Sequence, residues 1–348
     1  MKTKPMTKFA ILALSLVLVA CAGGGSEEAG CPAIDGREIN VVATTPMIGE
    51  FVSQVGGENI NLTVLMPPEA NPHTYEPAPQ DAGTIAEADL VFYTGLLYEP
   101  AALVKLLENS ACSTDILSEV GESVFPIEFK EGGHDDHDDH DDHDDEEGHD
   151  DEEGHDDHDD EEGHDDHEGH NHGAYDPHFW FDPSRVAYAA EYIESRLIQF
   201  DPENESSYIS SADSFVSELN DLTKQVSELI STVPSQNRKL ITTHESLGYL
   251  EAKFGLEVLS TIIPSLNSAN EISPSDLAGV IDVIEDNNVK VIFIESEAPS
   301  VYSETIVAET GIKPVTGLYV ETLKPGQSYS EFLISNVKLI TENLQDTD

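Results

Sequence analysis

From His134 to His172 the chain runs for thirty-nine residues without one apolar side chain, using only His, Asp, Glu, Gly and a single Asn. A segment with nothing to bury cannot offset the entropy of ordering it. Any fold must therefore be built from the stretches before residue 131 and after residue 173, with residues 131–173 expected as a disordered insertion.

Those flanking stretches alternate between two hydrophobic periods. Ile39–Thr45, Ile60–Met66 and Asp89–Gly95 are short β-branched or aromatic runs. Between and after them, MIGEFVSQVGG, QDAGTIAEA and EPAALVKLLEN read as helices, the first closed by Gly56 and Gly57. Beyond the tract, FDPSRVAYAAEYIESRLIQF is helical. A second helix is predicted from Asp201-Pro202, with an apolar stripe at Phe215, Leu219, Leu222, Val226 and Leu229. The alternation then returns: strands at KLITTH, LEVLSTII, VKVIFIES and KPVTGLYV, and helices at ESLGYLEAKFG, SPSDLAGVIDVIEDNN, SETIVAETG and SYSEFLISNVKLITENL. Strands alternating with helices form parallel βαβ units. The expected fold class is α/β: two lobes, each a mostly parallel sheet flanked by helices, joined by a long α-helix.

The expected boundaries are a signal peptide at 1–20, a lipidated Cys21 with a flexible tether to residue 36, an N-terminal lobe at 37–200, a linking helix at 201–234 and a C-terminal lobe at 235–348. The first of these rests on Lys2, Lys4 and Lys8 before an apolar run from Phe9 to Ala20, too short to span a bilayer. The run ends in LVAC, the pattern of a bacterial lipoprotein box with Cys21 as lipid acceptor, so the protein is expected outside the cytoplasm and held to the membrane by its anchor. Cys31 and Cys112 remain; in an oxidising compartment they are free to pair, but their spacing does not say whether they do.

The formal charge is −53. The stretch from Glu131 to Glu168 contributes 24 acids and no base, and outside it 45 acids still face 16 bases. Such a surface repels nucleic acid and attracts cations. No P-loop, G-x-G-x-x-G, G-x-S-x-G or H-E-x-x-H occurs.

Eleven of the fourteen histidines lie in the tract: His134, His137, His140, His143, His149, His155, His158, His164, His167, His170 and His172. Each HDDH unit offers imidazole and carboxylate without fixed geometry, which predicts many weak metal sites that raise the local metal concentration. The other three are His73 in NPHTYEP, His178 in DPHFWFDP and His244 at the end of a strand. Ligands of open α/β sheets bind beyond the carboxyl ends of strands, where His73 and His244 are expected. Three neutral imidazoles and one carboxylate make a closed four-coordinate site. Glu321, just past a strand in GLYVETL, is the candidate carboxylate, with Glu295 and Glu297 of FIESEAP as alternatives. Three imidazoles favour Zn²⁺ over Mn²⁺, since affinity rises from Mn to Zn and Mn prefers more oxygen ligands.

NPHTYEPAPQD, DPHFWFDP, TTHESLGYL and GLYVETL, in that order, resemble the four ligand segments of the solute-binding proteins of zinc and manganese ABC transporters, whose two lobes share one long helix. YTGLLYEP is similar to that family's NGLxxE segment. Asn71 departs from the usual Asp-Pro-His, and Glu321 stands where the family often has Asp; many zinc members use three His and a water instead. The resemblance covers nearly everything after Arg37. It implies a monomeric binding protein without catalytic residues, which delivers metal to a membrane permease and its ATPase through a small lobe shift. It also implies that the tract is an accessory loop before the second ligand. Two other readings stay open. One is a surface zinc buffer or adhesin without a transporter. The other is a metallohydrolase using Glu76, Glu245 or Glu321 as general base.

Overall fold

The computed structural model describes residues 31, 34, 36–68, 70–129, 175–263, 273–297 and 301–345. The proposed signal segment, Cys21 and the eleven tract histidines lie outside these residues.

The first lobe starts with β1 (Ile39–Ala43), α1 (Pro46–Gly56) and β2 (Ile60–Val64). Thr45 caps α1 by accepting the Ile48 N–H, and Gly57 ends it at φ 57°, a conformation that suits glycine. Next come α2 (Pro79–Ala86), β3 (Leu90–Tyr93), α3 (Ala101–Ser110) and β4 (Leu117–Glu119). β4 is absent from the sequence reading, since three residues carry too little periodicity to show. After the tract come α4 (Pro183–Phe200) and the 27-residue α5 (Glu205–Ser231). The second lobe follows as β5 (Lys239–Thr242), α6 (Gly248–Phe254), β6 (Glu257–Thr261), α7 (Pro274–Asp286), β7 (Val291–Glu295), α8 (Val301–Thr310), β8 (Lys313–Leu318) and α9 (Tyr329–Gln345). Ser273 and Asp276 form a capping box at the start of α7.

Both sheets are parallel and repeat one topology, β2-β1-β3-β4 and β6-β5-β7-β8. Their side chains obey the strand period of two. Val41 and Ala43 of β1, and Leu240, Val291 and Phe293 of β5 and β7, face a core shared by the two lobes. Val42 and Val91 turn to an outer core of the first lobe, and Ile241 and Ile292 to one of the second. Strands covered on both faces read as continuous apolar runs, which is why they stand out in the sequence.

α5 packs against α1, α4 and α9. Its buried stripe is Tyr208, Ala212, Phe215, Leu219, Leu222, Val226 and Ile230. The predicted stripe ended on Leu229, which is only partly buried; Ile230, four residues past Val226, takes the core position. α5 also starts later than Asp201-Pro202 suggests, after a short 3-10 turn at Pro202–Asn204. The Asp201 carboxylate accepts from the Tyr208 hydroxyl at 2.6 Å and the Asn204 amide at 2.8 Å instead of capping the long helix. Cys31 and Cys112 form a disulfide, fastening the chain before β1 to the end of α3. Among the described residues no helix is long and apolar enough to cross a membrane.

Candidate metal centre

His73 follows β2 in a 3-10 turn, Pro72–Thr74, which Asn71 caps by accepting the His73 N–H at 2.9 Å. That bond needs only a side-chain carbonyl, so Asn serves where an Asp is usual. Asp81 pins the rest of the loop, taking the Tyr75 hydroxyl at 2.9 Å and the Ala78 N–H at 2.7 Å. The same Asx-Pro-His unit recurs at Asp176-Pro177-His178. There Oδ1 of Asp176 accepts the His178 N–H at 2.9 Å and also meets the ring Nδ1 at 2.7 Å. Among the described residues the Nδ1 of His73 has no hydrogen-bond partner.

His244 leaves β5, and its Nδ1 bonds the Glu295 carboxylate at the end of β7. Glu295 also accepts the His244 N–H at 3.2 Å. It thus sits behind an imidazole and not beside the metal position considered for it above. Glu297 is elsewhere too: it accepts the N–H groups of Val320 and Glu321 at 3.3 and 3.4 Å. It holds in place the backbone that carries Glu321.

With Nδ1 of His178 and His244 turned to carboxylates, their Nε2 atoms point inward, 3.4 Å apart. Oε1 of Glu321 lies 3.1 Å from Nε2 of His73, 3.5 Å from that of His178 and 2.9 Å from that of His244. All four donor atoms fall within 4.8 Å of one another. A tetrahedral ion with bonds of ~2.0–2.1 Å holds its donors ~3.3 Å apart; the four edges at 2.9–3.5 Å match that spacing, and the two from His73 to the other imidazoles lie within 4.8 Å. Two donors come from the first-lobe side and two from the second. The structure thus brings together all four residues singled out in the body of the sequence.

The cluster is buried, with the His73 side chain 5 % exposed and that of Glu321 at 0 %. Burial alone would neutralise these groups, but their mutual attraction outweighs it. Burial lowers the His178 imidazole, yet Glu321 and Asp176 raise it further, to about 9. Burial likewise opposes charge on His244, but Glu295 and Glu321 lift it to about 10. Glu321 is held well below the ordinary range because the three imidazoles overcome its desolvation. Glu297 gains no such neighbours; burial first and the Glu321 charge second push it up to about 8. The His178 and His244 imidazoles are thus held charged beside the Glu321 carboxylate, and an incoming cation must displace their protons.

Tyr98 and Trp180 complete the walls. Trp180 lies with its ring centroid 5.5 Å from that of His178 and donates from Nε1 to Val320 O at 2.8 Å. Tyr98 donates to Oε2 of Glu321 at 2.8 Å. It is delivered by the turn after β3, in which Glu99 accepts from the Thr44 hydroxyl at 2.7 Å and from the N–H groups of Thr94 and Gly95 at 2.7 and 2.9 Å. Gly95 has φ 77°, and a Cβ there would stand 2.0 Å from the Glu119 carboxylate. Sequence reasoning assigned no role to Tyr98 or Asp176. The repeated Asx-Pro-His was the available signal for Asp176; nothing local marks Tyr98, whose partner is 223 residues away.

Fold and site together define a two-lobed α/β binding protein with a buried three-histidine, one-carboxylate cluster between its lobes. The sequence matches the family described as ZnuA, zinc-uptake complex component A, periplasmic, over residues 41–343, and the chain belongs to that family. It is a metal-binding solute-binding protein and not an enzyme. It is 26 % identical over 350 residues to the manganese ABC transporter substrate-binding lipoprotein PsaA of Streptococcus anginosus, covering 98 % of this chain and 99 % of that one. It is 22 % identical over 332 residues to the manganese-binding lipoprotein MntA of Halalkalibacterium halodurans, covering 95 % and 94 %. Its fold is similar to the periplasmic zinc binding protein TroA from Treponema pallidum, with TM-score 0.71 and 20 % identity over 88 % of this chain and 99 % of that one.

Proposed function

We propose that this protein captures Zn²⁺ outside the cytoplasm and passes it to the permease and ATPase of an ABC transporter, held at the membrane by a lipid on Cys21. His73, His178, His244 and Glu321 are its ligands. The tract histidines act as weak accessory sites that concentrate the cation. The observation that carries the zinc reading is the donor set: three imidazole nitrogens and one carboxylate oxygen, with four of the six edges at 2.9–3.5 Å and all donor atoms within 4.8 Å of one another. Such a set suits a borderline ion content with four ligands. Transport by an ABC system is supported by the names of the relatives, PsaA above all.

Manganese is the second reading, favoured by the manganese-binding names of PsaA and MntA. Its preference for more oxygen ligands weighs against it in a site with one carboxylate.

The test is a metal titration of the full chain and of a variant lacking residues 133–173, followed through Trp180, the single tryptophan. One tight Zn²⁺ equivalent, kept without the tract, lost in His73→Ala and not displaced by excess Mn²⁺, is the expected result. Loss of all tight binding with the tract would instead make the protein a zinc buffer.

A further inference from the structure

Glu321 has two oxygens, and the structure gives them different work. Oε1 faces the three Nε2 atoms at 2.9–3.5 Å. Oε2 accepts the Tyr98 hydroxyl at 2.8 Å. The same hydroxyl lies 3.3 Å from the Glu321 carbonyl, so it is held against one end of this residue. Tyr98 has little freedom to leave. It is 1 % exposed, and its ring stands edge-on to His73 at 4.8 Å and to Trp180 at 5.3 Å. Its backbone N–H bonds the Gly95 carbonyl at 2.9 Å, and the two leucines before it adopt φ 53° and 60°. Leucine rarely takes such values, so the Glu99-clamped turn is held in one shape to put the phenol there.

A carboxylate chelates an ion with both oxygens only if both can face it. We propose that Tyr98 is a specificity-determining residue: by holding Oε2 of Glu321 it keeps this ligand monodentate, fixes the site at four donors and so favours Zn²⁺ over Mn²⁺. Zinc is satisfied by four ligands. Manganese prefers a larger, oxygen-rich shell, and the second Glu321 oxygen is the nearest one left. Tyr98 itself touches no metal. Its partner is on the other lobe, so the device is assembled only when the lobes meet. The inference rests on the reading of the cluster as the cargo site.

The experiment loads the full-length protein and its Tyr98→Phe and His73→Ala variants with one equivalent of Co²⁺, whose visible d–d absorption is intense when four-coordinate and weak at higher coordination. Zn²⁺ and Mn²⁺ affinities are measured in parallel by chelator competition. The expected result is an intense four-coordinate spectrum for the wild type and a weaker, higher-coordinate one for Tyr98→Phe. The Zn²⁺ affinity should fall by about 10- to 100-fold, the usual effect of removing a partner behind a metal ligand, and the Zn²⁺/Mn²⁺ affinity ratio should fall with it. An unchanged spectrum and ratio in Tyr98→Phe overturns the role of Tyr98 alone and leaves the cargo site intact. Tight Co²⁺ binding untouched by His73→Ala overturns the cargo site and this inference with it. A wild-type spectrum of high coordination overturns the inference even if Tyr98→Phe does not fold.

Discussion

His178 and His244 each offer the cluster one nitrogen because a carboxylate holds the other: Asp176 behind the first and Glu295 behind the second. Such a partner sets the ring's orientation and makes it a better ligand. Asp176→Asn is therefore expected to weaken zinc binding by about 10- to 100-fold, measured by chelator competition, with the fold preserved because the new side chain still accepts the His178 N–H. An unchanged affinity would deny Asp176 this role. The pH response also belongs to these residues. Imidazoles held at about 9 and about 10 are protonated at pH 7, so zinc binding there should release about two protons from them. Calorimetry in buffers of different ionisation enthalpy counts them. For the metal-free protein the sign is fixed by linkage. Raised imidazoles stabilise fully below the unfolded value of ~6.5 and lose that contribution as pH climbs through 9 to 10. The depressed Glu321 stabilises above ~4.3 and loses its share only as pH falls through its lowered value. Thermal stability of the metal-free protein should therefore decline from pH 6 to pH 10; a rise over that range would contradict the charged cluster.

α5 is the element that both lobes bury. Leu219 sits in its stripe, 1 % exposed, within the core that also contains α1, α4 and α9. Leu219→Ala should cost about 2–5 kcal/mol. The loss should appear in one cooperative denaturant transition, because the same core supports both sheets. Two separated transitions would show that the lobes melt independently. The disulfide acts on a different element. It closes a loop of 81 residues around β1, β2 and β3, and loop entropy assigns it roughly 4–5 kcal/mol. A Cys31→Ser, Cys112→Ser pair should lower the melting temperature while leaving metal stoichiometry unchanged, since neither cysteine belongs to the cluster.

For the whole molecule, the lobes meet through several polar bonds besides the cluster. Trp180 reaches Val320 O, Tyr329 reaches Trp180 O at 2.6 Å, and Thr322 reaches Pro68 O at 2.7 Å. With α5 packed along both lobes, loading should change the molecular envelope little. Small-angle scattering of metal-free and zinc-loaded protein is expected to give radii of gyration that agree within about 1 Å, against the larger change of a hinge that closes over its ligand. A wide closure on loading would refute the rigid arrangement.

Much of this was legible from one-dimensional pattern. Parallel strands covered on both faces leave apolar runs, helices on a shared core leave stripes, and the three body histidines stand out because every other histidine lies in a tract with nothing to bury. Glu321 was legible as a candidate because it follows a strand, as ligands in such sheets do. What tertiary structure alone decided is which acid does what. Glu295, Glu297 and Glu321 are alike in sequence, yet one orients an imidazole, one holds a backbone and one faces the cluster. Their assignment depends on which strand ends and which lobe each carboxylate meets. The pairing of Cys31 with Cys112 and of Tyr98 with Glu321 is of the same kind. Local sequence reports what a residue can bond, and only the packing of distant segments brings its partner within reach.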